Sequence, residues 1–360
     1  MRPNSRSAAS ASSRFGDGNR QGYLRAETNP RTHRTNGPMI PGPKTLRFLK
    51  KARSGYARLF PDSARFSFNY NLAQVKGQAA SDRIKQELLA PKPSMICRFG
   101  STELYSLLGY LGHKAGYQPG LLNHLRFITG RIPSYGYDPE SIENMFQLSG
   151  FFPPDLDLSV RFGDLMMQDM KEVDILGTWR REELFFEKEL AHALKVELPD
   201  LEPFLHKDPW SEVLEGRTVL LVHPFERSIQ EQYARREKLF KDPRVLPAFE
   251  LKTIRAVQTV AGNPTSFKNW FEALQYMKDR MSETTYDVAI IGCGAYGFPL
   301  AAHAKRMGRK AVHIGGATQL LFGIGGARWE NHPLKNEYWV RPSANERPEN
   351  ASIVEGACYW

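Results

Sequence analysis

The residues in this chain best suited to chemistry lie in short polar loops. The stretch YDVAIIGCGAYGFPLAAHAKRMGRKAVHIGG, Tyr286 to Gly316, spaces Gly292, Gly294 and Gly297 as G-x-G-x-x-G. That spacing permits a tight turn and lets backbone N–H groups approach a phosphate at a helix N-terminus. It serves equally for close strand–helix packing. A nicotinamide dinucleotide site also wants a carboxylate about 20 residues on, at the end of the second strand, to bind the ribose hydroxyls; Val312, His313 and Ile314 stand there instead. In RFGSTE, Arg98 can pair with a phosphate bidentately, Ser101 reads as the N-cap of a helix beginning at Thr102, and Glu103 falls in its first turn. A carboxylate there can coordinate a divalent cation that bridges a diphosphate, or simply complement the helix dipole. HPFERS adds His223 and Glu226, and GGATQ adds Thr318 and Gln319. Trp179, Phe225 and Tyr296 can stack on a base or sugar, or plug the core.

The elements that must position these loops follow from periodicity. Strands are expected at 94–99, 173–177, 218–223, 249–254, 287–291 and 310–314. Helices are expected at 103–111, 182–194, 229–240, 267–281 and 299–307, with Gly308 as a C-terminal stop. Alternation of this kind predicts an α/β fold: a Rossmann-like, mainly parallel sheet with helices on both faces. Ligands of such sheets bind beyond the carboxyl ends of the strands, which is where all of the polar loops fall.

Three blocks, ICRFGSTEL, HPFERSIQEQY and DVAIIGCGAYGFPLAAHAKRMGRKAVHIGGATQLLFGIGGARW, together resemble the GT-D-type glycosyltransferase family of bacterial glycan and polysaccharide assembly. The resemblance runs from Met95 to Trp360. It implies transfer of a sugar from a nucleotide-sugar donor, typically a UDP-sugar, to a glycan or lipid-linked acceptor, with help from Mn²⁺ or Mg²⁺. On that reading Arg98, Gly100, Ser101, Phe225, Gly292, Gly294, Tyr296, Gly297, Thr318 and Gln319 hold the donor. Glu103 holds the metal, and Glu226 or His223 acts as base for the acceptor hydroxyl. The family's Asp-x-Glu falls on Ser101-Thr102-Glu103, so only the glutamate is retained, and one carboxylate holds a cation less firmly than two. A non-catalytic sugar-nucleotide binder and an NAD(P)-dependent oxidoreductase are the alternatives.

Charge narrows the partners. The net charge is +10, but residues 1–60 carry thirteen Lys and Arg against Asp17 and Glu27, leaving the other 300 residues at −1. A nucleic-acid face would show as surplus charge in the folded body, so nucleic acid is not expected as a partner. Residues 1–43, rich in Ser, Arg, Asn, Gly and Pro, are expected to be a disordered basic tail. Residues 44–60 form a basic amphipathic helix that either lies on an anionic membrane or packs its apolar stripe on the domain at 61–360. The expected setting is cytoplasmic, peripheral at the membrane face through residues 1–60. Cys97, Cys293 and Cys358, odd in number and far apart, read as reduced thiols.

Overall fold

The computed structural model describes residues 39–60 and 72–360. The expected tail at 1–38 and the expected start of the domain at 61–71 lie outside them. Seven strands form one parallel sheet: β1 (Ser94–Cys97), β2 (Ile175–Thr178), β3 (Leu194–Glu197), β4 (Thr218–His223), β5 (Glu250–Arg255), β6 (Val288–Ile291) and β7 (Lys310–His313). Their spatial order is β3-β2-β1-β7-β6-β4-β5, every pairing parallel. Ile96 stands opposite both Ile175 and Val312, and Ile290 opposite Val312 and Leu221, which fixes the register across the centre.

The two-residue period of a strand divides the core. Met95, Cys97, Leu176, Leu220, Val222, Ala289 and Ile291 point to one face. Their neighbours Ile96, Ile175, Val219, Leu221, Val288, Ile290 and Val312 point to the other. Helices α3 (Ser101–Ala115), α6 (Leu156–Asp169), α8 (Trp270–Glu283) and α9 (Gly297–Arg306) cover the first face. On the second lie α2 (Gln78–Leu89), α7 (Glu226–Tyr233), α10 (Thr318–Leu321) and the C-terminal segment ending at Trp360. Burial on both faces is why β1, β2 and β6 are apolar runs rather than alternating ones. This is the expected α/β, Rossmann-like architecture.

The helix expected at 229–240 is shorter and begins earlier, as α7, with a separate 3₁₀ turn at Arg236–Lys238 after it, and two further expectations fail outright. The helix predicted at 182–194 is absent: a 3₁₀ segment, Arg181–Phe186, is followed by turns and by β3, which sequence reasoning missed. Glu183 explains it, because its carboxylate accepts from Thr178 Oγ1 and from the backbone N–H groups of Trp179 and Arg180, at 3.2 and 3.1 Å for the latter two. Those bonds tie the side chain back to the end of β2 and turn the chain before a second helical turn forms. Ser101 is likewise not the N-cap of α3: the helix starts at Ser101 itself, with Gly100 as cap and no side-chain cap bond. The Glu103 carboxylate folds back over Gly100 and fills the space a Cβ would take there.

Helix α1 (Pro43–Leu59) packs against α4 (Leu121–Ile128). Leu49 joins Phe127, Ile132 and Tyr135 in a small core of their own, and Ala57 is buried with Leu49. Part of the apolar surface of α1 is thus spent on the protein, while Phe48 and Leu59 stay exposed.

Candidate functional site at the carboxyl edge of the sheet

Arg98 leaves the end of β1 at the centre of the sheet. Its guanidinium lies over the Trp179 ring, 5.2 Å from carbon to centroid, and Trp179 is pinned by Nε1 donating to Phe99 O at 3.0 Å. Arg180 covers the same indole at 5.2 Å. Arg98 Nε is sealed from solvent without a hydrogen-bond partner, though the side chain as a whole is partly exposed. A buried donor left unmade costs on the order of 1–3 kcal/mol, more when charged. Burial pushes the Arg98 pKa down, while Glu103, Tyr359 and Glu183 counteract it.

Around this cation gather acids from three strand ends. Glu103 is buried at the start of α3, with Thr102 Oγ1 donating to it at 3.0 Å. Glu183 follows β2; burial pushes its carboxyl up to about 7 against its hydrogen bonds and the Arg98 charge. Glu202 follows β3, and burial pushes it to about 7 as well, with Arg98 opposing. From the last segment of the chain Tyr359 closes in, its ring 2.6 Å from where a Cβ on Gly316 would stand. Arg328 lies 5.1 Å from the centroid of that ring.

The residues expected after β4 stand apart from this cluster. Strands β1 and β4 are separated by β7 and β6, about 14 Å at the usual inter-strand spacing. Glu226 opens α7 and accepts from Thr253 Oγ1 at 2.7 Å. His223 Nδ1 accepts the Phe225 N–H at 3.0 Å, and burial drives its pKa down to about 3. An imidazole so reluctant to take a proton is a poor general base. Phe225 is buried, 6.0 Å from Trp360 between ring centroids. The N-terminus of α7 is closed by Glu346, which accepts from the N–H groups of Arg227 and Ser228 at 2.9 and 3.3 Å.

Each glycine of the G-x-G-x-x-G loop meets an internal neighbour. A Cβ on Gly292 would stand 2.5 Å from Thr318 Oγ1. One on Gly297 would run into the His313 ring. Gly294 has φ +56°, and its Cβ position is 3.0 Å from Ser149 O. His313 is itself buried, with Nδ1 3.0 Å from Ile291 O. Tyr296 is a core side chain stacked 5.0 Å from Trp270. Thr318 Oγ1 donates to Ile291 O at 3.3 Å, and Gln319 Nε2 donates to Ile324 O and Tyr359 O, both at 3.1 Å. The loop is therefore packed tightly from within, and its glycines are required by His313 and Thr318.

Glu183, Glu202, Tyr359 and Arg328 were not foreseen. Glu183 had a signal, since GTWRREE follows directly on an expected strand. Glu202 was hidden by the missed β3, and Tyr359 and Arg328 reach Arg98 only through the return of the C-terminal segment. Among the described residues no group of three or more His, Cys, Asp or Glu side chains is placed to hold a metal ion. Glu103 is a single carboxylate with the Arg98 guanidinium beside it, so the described residues do not fit a protein-built Mn²⁺ or Mg²⁺ centre. Chemically, the edge offers an oriented guanidinium, an aromatic plane and two carboxyls that exchange protons near neutrality. Set against family models, curated proteins and solved structures, the chain matches none of them, so fold and site geometry carry the functional argument.

Proposed function

We propose that the protein is a glycosyltransferase of the GT-D kind, holding the diphosphate of a nucleotide-sugar, a UDP-sugar in the first instance, at Arg98. The observation that carries this is Arg98 itself: a guanidinium at the end of β1, 5.2 Å from the centroid of the Trp179 ring, whose buried Nε has no hydrogen-bond partner among the described residues. A guanidinium can match two phosphate oxygens at once. Trp179 packs beside it, and Arg180 adds a second positive charge on the same indole. As the sugar–phosphate bond breaks, negative charge grows on the leaving phosphate, and a preorganised cation there stabilises that charge without reorganisation.

Glu202 takes the role of base for the acceptor hydroxyl. Its pKa near 7 suits proton transfer at neutral pH, and among the described residues its carboxylate has no hydrogen-bond partner to compete. Glu183 is less suited, because three hydrogen bonds already hold it to the end of β2. Glu103 sits at the anion end, where it orders the Gly100 turn beneath the phosphate.

The test is calorimetric titration with UDP, GDP and NADH, each with and without Mn²⁺, followed by donor turnover in the presence of glycan acceptors. UDP or GDP binding that Arg98→Met abolishes, with NADH silent, is expected. NADH binding alone would replace the transferase by an oxidoreductase, and nucleotide-sugar binding without turnover would make the protein a sensor.

A further inference from the structure

The α1–α4 layer carries an unusual surface. On α4, Leu121, Leu122 and Leu125 are 78, 61 and 52% exposed, and on α1 Phe48 is 67% exposed. Neither apolar set is explained by the core, because α1 and α4 meet through Leu49 and Phe127 on their other sides. Lone exposed apolar side chains need no explanation, but a group of this kind on two packed helices marks an interaction surface.

Charge identifies the partner. Helix α1 contains six Lys and Arg and no acid, and α4 adds Arg126, again without an acid. The exposed positions beside Phe48 include Lys44, Arg47 and Lys51. Exposed leucines on one helix and exposed cations on the helix packed against it, with the body of the chain near neutral, complement an anionic bilayer, in which apolar side chains enter the acyl boundary while cations meet headgroups. Helix α1 alone does not suffice, since Leu49 is buried against α4; α4 supplies three exposed leucines in two turns as the apolar wedge. Among the described residues no helix is long and apolar enough to cross a membrane, so the contact is peripheral.

The layer also borders the site. Arg53 on α1 donates to Pro133 O at 3.0 Å and feels the charges of Arg181, Glu182 and Tyr105. Arg180, which shares the Trp179 ring with Arg98, also covers the Tyr105 ring at 5.2 Å.

We propose that the outer surface of α1 and α4 is a docking surface for anionic lipid bilayers, with Leu121, Leu122 and Leu125 as the inserted apolar element and Lys44, Arg47 and Lys51 as headgroup contacts, Lys50 being paired with Asp138 and Glu140. The proposal stands whatever reaction the site performs.

The experiment is flotation of the full-length chain with vesicles of phosphatidylcholine alone and of equal parts phosphatidylcholine and phosphatidylglycerol. Three proteins are compared: wild type, Leu121→Ser/Leu122→Ser/Leu125→Ser, and Lys44→Glu/Arg47→Glu/Lys51→Glu. All substituted positions are exposed, and circular dichroism with thermal melts verifies that the variants fold. Wild type is expected to float only with the anionic vesicles, and either variant to lose on the order of tenfold or more in partition coefficient. Failure of wild type to bind anionic vesicles would overturn the proposal. So would a leucine variant that binds as well as wild type, which would move the contact elsewhere in the chain. A wild-type dimer in sedimentation that the leucine variant dissociates would assign the patch to a second copy instead.

Discussion

Replacing Arg98 by methionine separates the ligand-binding account from a structural one. The substitution keeps an apolar stem against Trp179 and removes the guanidinium. Two charge-assisted hydrogen bonds to a diphosphate at about 1.5 kcal/mol each, the low end of their range, amount to about 3 kcal/mol, or a roughly 150-fold weaker Kd for UDP. The effect on folding has a different size, because the buried Arg98 Nε has no hydrogen-bond partner to lose among the described residues. The cation–π contact with Trp179 contributes about 0.5–1 kcal/mol, and relief of the desolvated charge opposes its loss. Folding stability is therefore expected to change by less than about 1 kcal/mol while UDP binding collapses. Calorimetric titration gives the first quantity and urea unfolding the second. Arg98→Lys retains the charge without the planar fork and is expected to fall between the two. Unchanged UDP affinity in Arg98→Met would refute the assignment of the phosphate to this strand end. A large loss of stability with proportionate loss of binding would make Arg98 a structural residue.

Two further outcomes follow from the geometry. Gly297→Ala drives a methyl group into the His313 ring and is expected to destabilise by about 1–3 kcal/mol, with a smaller penalty in a His313→Ala background. UDP binding by the folded variant should persist, and lost binding with intact stability would return the glycine loop to the ligand. The third concerns pH. Glu183 titrates near 7 in the folded protein against an ordinary 4.5, so between those values the native state holds a proton that the unfolded chain has released. Its contribution makes stability fall as pH rises from about 4.5 to about 7 and level off above, by up to about 3 kcal/mol. Urea melts at pH 5 and pH 7.5 should show this decline reduced in Glu183→Gln; an identical pH slope in both proteins would rule out a raised carboxyl at this position.

Much was legible in the sequence because it is local. The apolar runs at Val219–Val222 and Val288–Ile291, the glycine stop at Gly308 and the strand-then-helix rhythm determined a parallel α/β sheet, and with it the edge where polar loops gather. Arg98 could be named from that rhythm alone, since it lies at the carboxyl end of an expected apolar strand. Tertiary structure decided which of the loop residues meet. Strand order put β1 beside β7 and β2, and so gave Arg98 the company of Glu183 and Glu202 while leaving Glu226 three strands away. Chain return brought Tyr359 to Gly316, and Glu346 to the start of α7 across more than a hundred residues of sequence; the second contact alone has that span. The glycine loop was ambiguous for the same reason. Whether a missing Cβ leaves room for a phosphate or for a histidine ring depends on what packs opposite, and His313 came to lie there only through the pairing of β6 with β7.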